Sequence, residues 1–116
     1  MTDDFEALFE SNFLRWFHLN DGKLLIEINK IEKRVEMYNV QTKETDYKPV
    51  LHYKVISGSV EKPLPFIVNK TNGRSIAAIH GRSISGWVGK QIVLYVTEAK
   101  VGREKKPCLR VREYRG

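Results

Sequence analysis

A set of basic side chains lies between two tyrosines near the C-terminal end of this chain. A run of cations follows the segment that carries Tyr95, and two arginines and a tyrosine of one parity follow that run. Cations neutralise phosphates and aromatic rings stack on bases, so this combination is typical of a site for a single nucleic-acid strand. The candidate site residues are Tyr95, Lys100, Arg103, Lys105, Lys106, Arg110, Arg112 and Tyr114. In the alternative interpretation the lysines are only solvated and Tyr95 packs on a helix.

The distribution of charge along the chain agrees with a polyanionic partner. The chain has 116 residues and a net charge of +6. Residues 1–61 carry a net charge of −3, whereas residues 62–116 carry +9. Such an asymmetry bears on partners and not on fold, and it directs the search for a phosphate-binding surface to the C-terminal half. A basic face that serves only solubility is the simpler alternative.

No catalytic or metal-binding pattern accompanies these residues in the sequence. His18, His52 and His80 lie far apart along the chain, and the single Cys108 has no partner for an internal disulfide. Gly89-Lys90 precedes a predicted strand rather than a helix, so it does not match a phosphate-binding loop. We therefore expect no enzyme activity, no cofactor and no metal site.

The sequence predicts a cytoplasmic protein without a membrane partner. Asp3 and Asp4 make the N-terminus acidic, whereas a secretory signal begins with positive charge. No apolar run approaches the roughly 20 residues that a membrane helix requires. The lone cysteine favours a reducing compartment.

Five segments are predicted to be β-strands, four of them from a two-residue alternation of sides. They span residues 24–28, 49–55, 64–68, 91–97 and 108–114. A short helix is predicted over residues 72–80, with Gly81 as its stop. We expect a mainly β fold: a five-stranded OB-fold-like barrel with a short helix between strands 3 and 4. The residues expected in its core are Leu24, Ile26, Ile28, Leu51, Tyr53, Val55, Ile92, Leu94, Leu109 and Val111.

Turn and loop residues separate the predicted strands. We predict turns at residues 20–22 and 57–59, a polar loop over residues 39–48 and a basic loop over residues 100–107. The parity of the first strand changes near Lys30 and Ile31, which indicates a β-bulge. An extended segment is expected over residues 13–19. Trp87, between two glycines, closes one end of the core or forms an exposed stacking platform, and the core is the favoured reading.

The chain is expected to divide into an extension and one domain. Residues 1–12 form an acidic and aromatic N-terminal extension, and residues 13–116 form a single OB-like domain. Phe5, Leu8 and Phe9 have the spacing of a short amphipathic helix. Their apolar face either fits the groove of a protein partner or covers the open end of the barrel.

Several short segments resemble a family of small bacteriophage proteins encoded near replication and recombination functions. The resemblance rests on residues 48–53, 68–72, 87–95 and 109–112, and it covers roughly residues 24 to 112. It implies an OB-fold-like domain similar to phage single-stranded DNA-binding proteins, at work in the cytoplasm of the host cell. The acidic and aromatic N-terminus departs from that family pattern.

Two functions from different classes follow. The first is a nucleic-acid-binding module, with single-stranded DNA in phage replication or recombination as its ligand. The alternative is a small phage protein-interaction factor that docks onto a host or phage enzyme and modulates it through Phe5, Leu8 and Phe9. Binding to phosphates weakens steeply as salt rises, so salt dependence separates the two functions.

Overall fold

Five antiparallel strands form one sheet, with a short helix between the third and fourth strands. The structure, a computed structural model, describes residues 13–39 and 42–115. The strands are β1 (Leu19–Asn39), β2 (Glu44–Val60), β3 (Phe66–Ile67), β4 (Gln91–Val101) and β5 (Glu104–Arg112), and the helix is α1 (Lys70–His80). Two 3₁₀ turns, Trp16–His18 and Ile84–Gly86, complete the described elements. The predicted mainly β fold with one helix between strands 3 and 4 is confirmed.

The sheet is open, with β3 and β5 at its two edges. The strand order is β3-β2-β1-β4-β5. β3 is attached by two pairs only, Val50 with Ile67 and Leu51 with Phe66. Within the described sheet β3 does not pair with β5, so closure into a barrel is not observed. Among the described residues, no helix is long and apolar enough to cross a membrane.

The core lies on one side of the sheet, as the alternation of apolar residues predicts. Eight of the ten expected core residues are buried: Leu24, Ile26, Ile28, Leu51, Ile92, Leu94, Leu109 and Val111. Tyr53 and Val55 are half-buried and pack against this cluster. The predicted register of these strands is therefore correct.

Local capping signals determine where α1 begins and ends. The Asn69 side chain accepts a hydrogen bond of 2.8 Å from the backbone N–H of Asn72, which satisfies one of the unpaired donors of the first turn. Gly81 follows the helix with a φ of 92°, and its N–H bonds the carbonyl of Ala77. Ile76 is fully buried on the core side of the helix. The helix begins two residues before the predicted start at residue 72 and ends as predicted.

Trp87 belongs to the core, as the favoured interpretation held. Its side chain is buried, and its Nε1–H donates a 2.7 Å hydrogen bond to the carbonyl of Gly81. This hydrogen bond connects the C-terminal end of α1 to the segment that precedes β4. The exposed-platform interpretation of Trp87 is wrong.

The predicted loop over residues 39–48 is wrong, since both strands of the first hairpin continue through most of it. β1 extends to Asn39, and β2 begins at Glu44. In the part of the β1–β2 hairpin next to its turn, here called the arm, the side chains of residues 44–48 are exposed on both faces of β2, and polar residues suit such a strand end. Contacts between the side chains of the two strands stabilise this arm. The Arg34 guanidinium carbon lies 4.6 Å from the centre of the Tyr47 ring.

The predicted turns at residues 20–22 and 57–59 are also wrong, because both segments lie inside the β1–β2 ladder. The register shifts between the pairs Leu19–Val60 and Leu24–Gly58. Glycine, a residue typical of turns, is suited to this bulge because position 58 adopts a φ of 109°. The bulge predicted near residues 30 and 31 is confirmed by a further register shift between Ile28 and Lys30.

The predicted basic loop over residues 100–107 is wrong as well. β4 runs to Val101 and β5 begins at Glu104, so the turn consists of Gly102 and Arg103 alone. Gly102 has a φ of 65°, the conformation that the first central residue of a tight hairpin turn requires. Pro107 is tolerated because β5 is an edge strand.

The segment before β1 is not an extended strand, contrary to the prediction for residues 13–19. It forms the 3₁₀ turn Trp16–His18. The buried Leu14 donates a backbone hydrogen bond of 2.8 Å to the carbonyl of Pro65. The third strand is shorter than predicted, Phe66–Ile67, since its preceding residues bond to this segment. The helix and the protein-docking role predicted for Phe5, Leu8 and Phe9 lie outside the described residues.

Replacing Gly58 by alanine is expected to destabilise the fold. A Cβ there would lie 3.0 Å from Leu24 Cδ1 and 3.0 Å from the carbonyl oxygen of Lys23, on a backbone with φ of 109°. We expect Gly58→Ala to lower the free energy of unfolding by about 1–2 kcal/mol, measured by urea denaturation. Gly86→Ala is the matched control, because no described atom beyond its own chain neighbours lies within 4 Å of a Cβ at that site. Equal unfolding midpoints of the two variants would contradict the bulge geometry.

Tyr53 makes the stability of the fold sensitive to alkaline pH. Its hydroxyl donates a 2.6 Å hydrogen bond to the Leu64 carbonyl, and burial raises its pKa from 10.0 to about 12. The unfolded chain loses this proton first, so the stabilisation is complete below pH 10 and is lost as the pH rises towards 12. We expect the wild type to exceed Tyr53→Phe in stability by about 1 kcal/mol at neutral pH. Urea unfolding of both proteins should show this difference shrinking above pH 10; a constant difference would contradict the assignment.

Candidate nucleic-acid interface

The side of the sheet opposite the core, here called the outer face, carries the candidate residues Tyr95, Arg110 and Arg112. Antiparallel pairing lines up side chains of neighbouring strands in rows across this face. Two rows cross β1, β4 and β5: Lys23, Tyr95 and Arg110 form one, and Leu25, Val93 and Arg112 form the next. The structure thus brings together cations that are distant in the sequence around one tyrosine.

Tyr95 is half-buried among these cations. The guanidinium carbon of Arg112 lies 5.6 Å from the centre of the Tyr95 ring, within the range of a cation–π contact. α1 packs on the other side of the sheet, where Ile76 joins the core cluster with Leu94 and Leu109. Tyr95 therefore does not pack on the helix, and its surroundings are cationic.

Tyr114 follows the end of β5 and continues the outer face. It is 45% exposed, and it lines a shallow cleft of about 240 Å³. The same cleft is lined by Lys23, Leu25, Val93 and Arg112. An aromatic side chain is thus available in the same cleft as Arg112.

The cations of the β4–β5 hairpin are divided between the two faces of the sheet. The pairing of β4 with β5 is continuous from Val93 with Arg112 to Val101 with Glu104, so parity assigns each side chain to a face. Lys106 shares the parity of Arg110 and Arg112 on the outer face.

The remaining hairpin cations lie elsewhere. Lys100 and Lys105 pair with each other on the opposite parity, and Arg103 lies in the turn. All three are exposed. The structure therefore does not gather the predicted cations into one group. An exposed ion pair of 3.9 Å between Lys106 and Glu104 is of the kind that contributes little to stability.

Two further cation–aromatic groups were missed by the sequence reasoning. One is the Arg34–Tyr47 pair on the arm of the β1–β2 hairpin, where Tyr47 is 50% exposed. The other is a cleft of about 440 Å³ between β3 and β5, whose lining includes Arg15, Trp16 and Arg110. The signal available for the first group was the presence of Arg34 and Tyr47 in two otherwise polar segments. The second had no local signal, because its residues come from distant parts of the chain.

The three histidines have separate structural surroundings. His18 is buried, its Nδ1 accepts a 2.9 Å hydrogen bond from the N–H of Arg15, and burial lowers its pKa below the ordinary value. His52 pairs with Glu32, and His80 Nε2 donates to a carbonyl of β4. Within residues 13–39 and 42–115, no three His, Cys, Asp or Glu side chains are grouped so that they could hold a metal ion.

Comparison of the chain with protein-family models, with curated proteins and with solved structures finds no match. The resemblance to small bacteriophage proteins stays a prediction from the sequence. The geometry and charge of the outer face are accordingly the basis for a functional proposal.

Proposed function

We propose that this protein binds single-stranded nucleic acid, with DNA as its ligand, across the outer face of the sheet. The observation that carries the proposal is the setting of Tyr95, with Arg112 at 5.6 Å from its ring and with Lys23 and Arg110 as its cross-strand neighbours. Phosphates pair with these cations while bases stack on the ring. Stacking tolerates every base, so the outer face binds with weak sequence preference.

A single strand fits this surface better than a duplex does. In a duplex the bases are stacked on one another, so a protein tyrosine gains no base face on which to stack. Here aromatic rings lie between cations at Tyr95 and Tyr114, and again at Tyr47 beside Arg34. Alternating rings and charges match the alternation of bases and phosphates along an unpaired strand.

The sheet order supports assignment to the OB-type folds. An order β3-β2-β1-β4-β5 is that of a five-stranded barrel opened between its third and fifth strands. In that fold the β1–β2 and β4–β5 connections flank the ligand. In this chain both connections belong to long hairpins, and the first of them carries the Arg34–Tyr47 pair. The resemblance in the sequence supports a setting in phage replication or recombination, in the cytoplasm of the host.

Reversal of charge on the outer face is expected to weaken binding to single-stranded DNA. Arg110→Glu with Arg112→Glu should cost at least about tenfold in affinity, since both phosphate contacts become repulsive. The plot of log affinity against log salt should flatten by about 1.4, because each lost phosphate contact contributes about 0.7. Fluorescence anisotropy over a salt series measures both quantities.

Lys100→Glu with Lys105→Glu is the matched control. It makes the same change of net charge on the opposite parity of the same hairpin strands. We expect a smaller loss of affinity and a salt slope close to that of the wild type. Equal effects of the two double variants would show that only net charge matters and would remove the outer face from the site. Unchanged circular dichroism must accompany both variants.

Removal of the Tyr95 ring is expected to separate stacking from charge. Tyr95→Leu keeps an apolar side chain between the strands but offers no ring to a base. Stacking of one base contributes about 1–3 kcal/mol, so affinity should fall about tenfold or more. The salt slope should stay unchanged, because stacking releases few counterions. Affinity equal to that of the wild type would exclude Tyr95 as a platform.

A further inference from the structure

Asn72 carries a buried polar atom that the described residues leave without a hydrogen-bond partner. The side chain is 1% exposed, and its Nδ2 donates a 3.1 Å hydrogen bond to the carbonyl of Leu109. Its Oδ1 has no hydrogen-bond partner among the described residues. Exchange of the two amide atoms would set oxygen against the Leu109 oxygen, so the bond fixes Oδ1 as the unsatisfied atom. Leaving a buried acceptor unpaired destabilises the protein, and a donor that reaches the acceptor removes that cost.

Asn72 lies in the lining of the cleft between β3 and β5. The cleft has a volume of about 440 Å³ and opens between the two edge strands of the sheet. Its lining includes three cations, Arg15, Lys106 and Arg110. Trp16, which is 40% exposed, adds an aromatic ring to the same lining. Lys106 and Arg110 are also residues of the outer face, so the cleft continues the proposed path of the strand.

These features define the chemistry of an occupant. The cations favour an anionic group, and the indole favours a planar ring. Oδ1 of Asn72 favours a hydrogen-bond donor. A nucleotide has all three, with its phosphate, its base and the N–H groups on the edge of the base. The cleft volume lies within the range of pockets for small ligands.

The edge of β5 is poorly suited to the other extended occupant, a peptide strand. Addition of a strand needs a row of free N–H and C=O groups along the edge. The carbonyl of Leu109 already accepts from Asn72, and Pro107 has no N–H to donate. The edge is thus interrupted at both positions, which favours a discrete group in the cleft.

We propose that the β3–β5 cleft holds one base of the bound strand and selects a base with an exocyclic amino group. The amino groups of adenine and cytosine project from the ring edge and can reach a recessed acceptor. The N3–H of thymine lies between two carbonyl oxygens, which would meet Oδ1 first. This inference rests on the proposed binding of single strands and adds a position of base preference to a surface that otherwise accepts any base.

The test compares bases that differ only in the amino group. The probes are oligothymidylates of about twelve nucleotides, a length within the site sizes of OB-type folds. One probe carries a single adenine, and the other carries a single purine base that lacks the amino group of adenine. Fluorescence anisotropy measures the affinity of the wild-type protein for both, with the substituted base placed in turn along the strand. We expect the adenine strand to bind about fivefold tighter than the purine strand in at least one placement, since one buried hydrogen bond is gained.

The variant Asn72→Leu tests whether Oδ1 of Asn72 causes the difference in affinity between the adenine and purine strands. Leucine keeps a similar volume but has no acceptor, so adenine and purine strands should bind this variant equally. Its binding to plain oligothymidylate is the reference against which both substituted strands are compared. If the variant does not fold by circular dichroism, the comparison of adenine with purine on the wild-type protein decides alone.

The outcomes distinguish this inference from the function on which it rests. Equal affinity of the adenine and purine strands in every placement, with strong binding to both, overturns the base pocket and leaves the outer face in place. A preference for adenine that persists in folded Asn72→Leu overturns the role of Oδ1. Absence of binding to any strand overturns both proposals.

Discussion

The strict alternation of sides where β1 pairs with β4, at residues 23–27, and along β4 and β5 is the constraint on which the rest of the structure depends. Leu24, Leu94 and Val111 are adjacent in the sheet and buried on its inner side. A shift of one residue in any of these strands would turn its apolar set to solvent. The same register sets Tyr95 beside Arg110 on the other side, so the packing that stabilises the fold also assembles the candidate site.

The sequence was sufficient for those parts of the molecule in which the local pattern and the tertiary environment agree. Alternating apolar residues in 24–28 and 91–97 predicted their strands and their buried faces, and Gly81 marked the end of the helix. The turn predictions were wrong because positive φ is needed in bulges as well as in turns. Gly58 illustrates this, since it lies within a ladder that continues to Val60.

The candidate site could be predicted only where it follows strand parity. Arg110, Arg112 and Tyr95 share a face as their alternation indicated, but the division of Lys105 from Lys106 required knowledge that β5 begins at Glu104. The β3–β5 cleft depends on contacts between segments that are distant in sequence. Its buried asparagine looks, in the sequence, like one more helix-capping residue, because nothing local reports that its side chain reaches the carbonyl of Leu109.

The pairing of β1 with β4 has a consequence for how the chain folds. Lys23 pairs with Tyr95 and Glu27 with Gln91, across the whole of β2, β3 and α1. Such distant contacts are formed only after the entropy of closing a long loop has been overcome, and they slow folding. The β1–β2 hairpin is local and can form early. During synthesis from the N-terminus, the apolar side of β1 therefore stays uncovered by β4 until residues 91–101 have been made, and the same strand supplies Tyr95 of the outer face.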